Sequence, residues 1–309
     1  MKYIVDIGSK HLSIYHNGLV LREPNIAVIC KVGQTLELIS AGKACYSLLG
    51  NTREDYDFVA PVEENVVKNP ETASLILKHF LPRIIPKNFF RKAEIVVPVS
   101  SGLSLAERES YEEVVLRAGY QNVTLIENIL GFKPYVDKAQ AVMNIGVSST
   151  DIGVVSRTEG IIAGCSVNIG CAQMDARIAE RLEASSAVRI SSSTAEKLRE
   201  EVGNLFGQDK SVTEIIGTDI VTKVNRKFLV SSDFVKQPLL KAYGTLFEIA
   251  ESLIATIPYR IIQDITAKGI YIAGQGANVP GLSAFVLKTF KMGITIDPEP
   301  EIAVLRGLF

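Results

Sequence analysis

Apolar residues in this chain fall in short blocks separated by Gly, Asn and Pro, and the same order of blocks occurs twice. Residues 2–7, 12–15, 18–21 and 25–31 are predicted strands, punctuated by Asn17-Gly18 and Pro24. Residues 33–65 are more polar and irregular, which suggests a small inserted subdomain. Ala73, Leu75, Ile76, Leu77, Phe80 and Leu81 have helical spacing and predict a helix over 70–82, stopped by Pro82. A buried strand over 93–99, an amphipathic helix over 106–118, a strand over 123–126 and a short helix from Asn128 complete the first half.

The pattern then restarts. Strands are predicted over 141–146, 151–156 and 160–168, and helices over 173–182 and 194–206, the latter capped by Thr194. Residues 211–231 are mixed, and 234–257 form a long apolar-striped helix that Pro258 ends or kinks. A strand over 270–273, a helix over 281–290 and a strand over 294–296 finish the chain. Strands followed by helices, twice over, predict an α/β protein of two similar halves.

The repeat is sharpest at its hairpins. The first reads Tyr3-Ile4-Val5-Asp6-Ile7-Gly8-Ser9 before Leu12-Ser13-Ile14-Tyr15, and the second reads Ala141-Val142-Met143-Asn144-Ile145-Gly146-Val147 before Ile152-Gly153-Val154-Val155. Each is an apolar strand, a glycine turn with small hydroxylated residues, and a return strand. Two such loops can clamp a phosphate chain through backbone N–H groups, and an acid at the end of each strand can hold Mg2+ through its water shell. Gly8, Ser9 and Lys10 supply the first loop, and Gly146, Val147, Ser148, Ser149 and Thr150 the second. The first strand ends in Asp6, but the second has Asn144 in that place. An ordinary hairpin turn is the alternative reading of either loop taken alone.

A chain of 309 residues with 47% hydrophobic and 22% charged residues suits two domains of ordinary size, each with a core. The net charge of -1 gives no reason to expect nucleic acid. No run of about 18 or more apolar residues predicts a transmembrane helix, and no secretory pattern precedes the first strand. A cytoplasmic protein is therefore expected. Cys30, Cys45, Cys165 and Cys171 lack C-x-x-C spacing and read as buried reduced thiols, while scattered His11, His16 and His79 argue against a metal cluster or a histidine triad.

Several collinear segments resemble the actin and DnaK-type ATPase superfamily, and within it the MreB-like bacterial actins. Asp6-Ile7-Gly8-Ser9 resembles D-L-G-T, and Gly18-Leu19-Val20-Leu21 with Glu23-Pro24 resembles G-I-V-L-N-E-P. Val96-Val97-Pro98 matches V-x-V-P, and Asn144 to Asp151 falls on D-I-G-G-G-T-T-E. Ala195-Glu196-Lys197-Leu198-Arg199 is similar to A-E-K-V-K, and Gly274-Gln275-Gly276-Ala277 to G-G-G-A. The resemblance implies the actin-like two-lobed ATPase fold, made of duplicated ribonuclease-H-like halves with small inserted subdomains. Residues 1–32 and 66–140 would be the first lobe core, with 33–65 inserted; 141–182 and 234–309 would be the second, with 183–233 inserted.

The resemblance also implies ATP and Mg2+ as ligands. Glu196 and Arg199 share a helix face and would meet adenosine, a surface ion pair being the other reading. Gly274, Gln275 and Gly276 would pass close to the base or ribose, Gln275 standing where the motif has glycine. Departures gather on the chemistry. Asn128 replaces the acid that orients the attacking water in I-E-E-P, Ala172 replaces the acid of G-G-D, and Glu64-Asn65 replaces D-G. A carboxamide can orient water but cannot take its proton, so slow or absent hydrolysis is expected.

Lys87-Asn88-Phe89-Phe90-Arg91-Lys92 sets two aromatics among cations, which suits a membrane interface, although Phe89 and Phe90 also read as the first core residues of the next strand. The expected function is an MreB-like protein that polymerises with itself, on the inner face of a bacterial membrane, and guides cell-wall synthesis proteins. The alternative is a non-polymerising scaffold or chaperone-like protein with a degenerate nucleotide site.

Overall fold

The structure is a computed structural model describing residues 1–49, 55–207 and 210–309. It has two compact units, Met1–Phe132 with Ile302–Phe309, and Lys133–Glu301.

In the first unit, strand Lys2–Ile7 lies at the centre of a five-stranded sheet. His11–Tyr15 and Leu19–Pro24 continue it on one side as antiparallel neighbours. Glu94–Val99 and Val123–Glu127 extend it on the other side in parallel. Parallel neighbours need long crossovers. The helices Pro70–Ile84 and Leu105–Arg117 fall in the segments that precede these two strands. Alternate residues Tyr3, Val5 and Ile7 join a core with Ile76, Leu77 and Val114. Ile4 and Val96, at the intervening positions, are buried as well, and the short helix Ala303–Leu308 lies against the first strand.

Local chemistry sets the helix ends. Asn69 accepts from the Thr72 N–H at 2.9 Å and Pro70 opens the helix, while Ser104 and Glu107 form a reciprocal capping box. The predicted stop at Pro82 comes too early. The helix runs to Ile84, because a proline removes one N–H but leaves later residues free to donate, as Ile85 does to Leu81 at 2.8 Å. The stretch read as irregular also holds strands. Thr35–Ala41, Ala27–Val32 and Tyr56–Val59 form a three-stranded sheet, in which Leu36 and Leu38 turn inward while Thr35, Glu37 and Ile39 are exposed. Exposed and inward residues alternate with the period of two that marks a strand.

The second unit repeats the main sheet. Gly160–Val167, Thr150–Ser156, Ala139–Ile145, Ile270–Ala273 and Ile294–Ile296 lie in that order, with the first two pairings antiparallel and the last two parallel. The mixed stretch after residue 211 is a hairpin, Val212–Asp219 with Asn225–Ser231, and Val188–Arg189 pairs with its first strand. Helix Ser192–Val202 is capped by Ser191, whose hydroxyl accepts from the Thr194 N–H, so Thr194 is the donor rather than the cap. Helix Ser232–Ala255 ends shortly before Pro258, and helix Tyr259–Lys268 follows that proline directly.

Candidate functional site

In each unit the candidate residues gather at the carboxyl ends of the three parallel strands, where open α/β sheets take ligands. In the first unit these ends carry Asp6 with Gly8-Ser9-Lys10, then Ser100 and Ser101, then Asn128. The loop is tied back into the fold. Gly8 N–H donates to the His11 carbonyl at 3.0 Å, and a Cβ at Gly8 would meet that same oxygen at 3.0 Å. Buried Asn25 holds the other side: its Nδ2 donates to the Gly8 carbonyl at 2.8 Å and its backbone N–H to the Lys10 carbonyl at 2.9 Å.

Asn65 links this loop to the next strand end. Its backbone N–H reaches the Ser9 hydroxyl at 3.4 Å, its Nδ2 donates to Ser100 Oγ at 3.0 Å, and Tyr111 donates to its carbonyl at 2.9 Å. Glu64 and Asn65 both take positive φ, 48° and 59°, in the turn between Val62–Glu63 and Val66–Val67. Such turns favour Asn or Asp followed by Gly, so the departure from D-G leaves the turn formed. Burial pushes the Asp6 carboxyl up to about 6, against the opposing pull of Arg22. Glu127 accepts from Ser101 Oγ at 2.8 Å and pairs with Arg108 at 3.1 Å. The acid beside Asn128 is thus engaged in a network of its own.

The second unit builds its loop in the same way. Gly146 N–H donates to the Ser149 carbonyl at 2.8 Å, the counterpart of the bond from Gly8 to His11. Here the N-terminus of helix Cys171–Ser186 does the tying. Cys171 N–H donates to the Gly146 carbonyl at 3.0 Å and Ala172 N–H to the Val147 carbonyl at 2.8 Å. Gly170 is wedged beneath, where a Cβ would come within 2.4 Å of the Val147 carbonyl. Val147 is partly exposed, and Ser148, Ser149 and Thr150 are buried. The Thr150 hydroxyl donates to the Ile169 carbonyl at 2.6 Å, so its proton is used inside the fold. Asn144 pairs across the hairpin with Asp151.

Further along the same edge, Glu196 and Arg199 lie on helix Ser192–Val202. They are no surface pair. Arg199 is 6% exposed, and its Nε contacts Asp175 at 2.7 Å, with Nη2 3.6 Å from both Glu196 and Glu200. Gln275 Nε2 lies 3.3 Å from the same two glutamates. Gly274 has φ 86°, and a Cβ there would sit 2.3 Å from the Ile145 carbonyl; one at Gly276 would sit 2.3 Å from Ile145 Cγ2. Both glycines are required by close approach to the strand. Tyr243, wholly buried, donates to the Gly276 carbonyl at 2.6 Å.

Asn25, Asn65 and Tyr243 carry no catalytic signature. The only sequence signals were that Asn25 follows Glu23-Pro24, that Asn65 stands in a departure from a motif, and that Tyr243 is a polar-tipped residue in an apolar stripe. Phe89 and Phe90 lie in the turn of helix Lys87–Lys92, but their side chains are outside the described part of the structure. Among the described residues, no group of three or more His, Cys, Asp or Glu side chains could hold a metal ion, and no helix is long and apolar enough to cross a membrane. The four cysteines are free, and burial pushes the Cys171 thiol up to about 11.

The family model described as MreB/Mbl protein matches residues 2–309. The cell shape-determining protein Mbl of Bacillus cereus is 24% identical over 312 residues, covering 98% of this chain and 93% of that protein. The cell shape-determining protein MreB of Escherichia coli is 24% identical over 315 residues, covering 98% and 90%. Among solved structures, MreB5 of Spiroplasma citri bound to AMPPNP superposes with a TM-score of 0.88 at 24% identity, over 99% of this chain and 94% of that one. The MamK double helical filament gives 0.76 at 16% identity, over 99% and 97%. The chain belongs to the MreB/Mbl protein family and has its actin-like fold.

Proposed function

We propose that this protein is a nucleotide-binding cytoskeletal protein of bacterial cell shape that assembles into filaments of its own copies. One observation carries the nucleotide reading. Both hairpins keep the same glycine N–H to carbonyl bond at the end of a central strand, with loop carbonyls tied back into the fold. This arrangement suits a loop that presents N–H groups to phosphates. Relatives solved with AMPPNP and with ADP support it.

ATP would be held by Gly8, Ser9 and Lys10, by the loop from Gly146 to Thr150, and by Glu196, Arg199 and Gly274 to Gly276. A cation fits the donor set only in one form. Asp6 supplies a carboxylate, and no cluster of three protein ligands exists among the described residues. Mg2+ commonly takes one or two carboxylates and fills its remaining positions with phosphate oxygens and water. It would neutralise phosphate charge there. Asn128 would orient water by its carbonyl without accepting a proton, so turnover is slow and the nucleotide mainly favours the assembling state.

Self-association is supported by filament structures of MamK. Peripheral contact with the inner face of the membrane through residues 87–92, and with cell-wall synthesis proteins, belongs to the same proposal. Calorimetric titration with AMPPNP, with and without Mg2+, tests the nucleotide reading. Saturable binding strengthened by Mg2+ is expected. No heat and no thermal stabilisation with any nucleotide would contradict it, and would favour the scaffold reading.

A further inference from the structure

We propose that Gln275 selects the base of the bound nucleotide, its side-chain oxygen accepting a hydrogen bond from the exocyclic amine of adenine. This rests on the nucleotide reading above. The motif that this segment resembles has glycine at this position, where this chain carries an amide side chain.

Two carboxylates fix the orientation of the amide. Glu196 Oε1 and Glu200 Oε1 each lie 3.3 Å from Nε2. A carboxylate only accepts, so the amine end of the amide must face this pair and the oxygen must point away. That oxygen is buried and makes no hydrogen bond. Arg199 Nη2 is also buried and makes no hydrogen bond, although the same two carboxylates lie 3.6 Å from it. One cluster therefore keeps an unused acceptor and an unused donor out of water, a costly arrangement unless a ligand completes it.

The backbone that carries Gln275 is held on both sides. Close packing on Ile145 demands glycine at 274 and 276 but not between them, since Gln275 has no positive φ. Tyr243 anchors the following carbonyl. The two unused groups read a purine differently. A donor on Arg199 can meet a ring nitrogen, which adenine and guanine both have. An acceptor on Gln275 can meet the amine of adenine, but it repels the carbonyl that guanine and hypoxanthine carry in that place. Discrimination thus falls to Gln275, because a site with a buried acceptor rejects an analogue that cannot donate to it.

The test is calorimetric binding of ADP, IDP and GDP to the full chain and to Gln275→Gly and Gln275→Met. The wild type is expected to bind ADP at least about tenfold tighter than IDP, in line with one lost hydrogen bond. Both variants are expected to bind ADP and IDP within about threefold of each other, glycine by removing the acceptor and methionine by replacing it at similar volume. Equal binding of ADP and IDP by the wild type overturns the proposal without needing any variant. So does a preference that persists in both variants. If no nucleotide binds the wild type, the nucleotide reading itself fails and this inference falls with it.

Discussion

Asn144 stands directly opposite Asp151 across the second hairpin. The first hairpin pairs Asp6 with Ser13 in the same register. Each copy thus keeps one carboxylate in the facing pair, on opposite strands. Facing residues in an antiparallel ladder share a side of the sheet, and like charges there destabilise it. Asn144→Asp would set a second carboxylate against Asp151, which is 1% exposed. Restoring the motif's acid is therefore expected to lower the unfolding free energy of the ligand-free protein by about 1 kcal/mol, with added Mg2+ recovering the loss. Urea unfolding with and without Mg2+ measures this, and an unchanged midpoint contradicts it.

Asn25 matters because its amide holds the turn from Gly8 to Lys10 from beneath. Asn25→Ala removes the Nδ2 donor and leaves the Gly8 carbonyl without it. The expected cost is about 1–3 kcal/mol of stability, together with weaker binding of AMPPNP. Chemical denaturation and a binding titration of the same variant check both. Full stability with full affinity would show that the loop holds its shape unaided.

Arg199 and Asp175 are buried together at 2.7 Å. Asp175→Asn removes the nearest counter-charge and is expected to destabilise the fold by about 3 kcal/mol. Asp175→Asn combined with Arg199→Met removes the stranded charge as well, and should recover most of that loss. Unfolding curves of the single and double variants decide. A double variant at least as unstable as Asp175→Asn would mean that the guanidinium stabilises the unit by contacts other than this pair.

Burial raises the Asp6 carboxyl from 3.8 to about 6. The folded form then holds its proton more tightly than the unfolded chain does. As pH rises from about 4 to about 6, the unfolded chain ionises first, so the stability of the ligand-free protein falls across that window. The fall attributable to Asp6 is on the order of 2 kcal/mol. Asp6→Asn should flatten this part of the profile. Guanidinium unfolding between pH 4 and pH 7 reads the difference, and superimposable profiles contradict it.

The repeat was legible because a strand, a glycine turn and a return strand leave a local pattern. Asp6-Ile7-Gly8 and Asn144-Ile145-Gly146 mark corresponding strand ends. The supports of the loops were not legible. Asn25 acts on a carbonyl 17 residues away, Asn65 on a hydroxyl 35 away and Tyr243 on a carbonyl 33 away. No short pattern announces such partners. Arg199 shows the same limit: spacing placed it beside Glu196, but only the packing of helix Cys171–Ser186 against helix Ser192–Val202 supplies Asp175 and buries the pair. The helix continues past Pro82 because a proline removes only one N–H, and the strand over Thr35–Ala41 is hidden because it is short and lies within a longer stretch that is more polar as a whole.

Sedimentation, with phosphate measured in the same tubes, reads both nucleotide-dependent filament assembly and slow turnover. Wild type and Asn128→Glu would be spun with Mg-ATP, with Mg-ADP and without nucleotide, each with and without lipid. Mg-ATP is expected to drive wild-type protein into the pellet with little phosphate released, and Asn128→Glu is expected to release more. Wild-type protein that stays in the supernatant in every tube, or that releases phosphate as fast as Asn128→Glu, would contradict the proposed function.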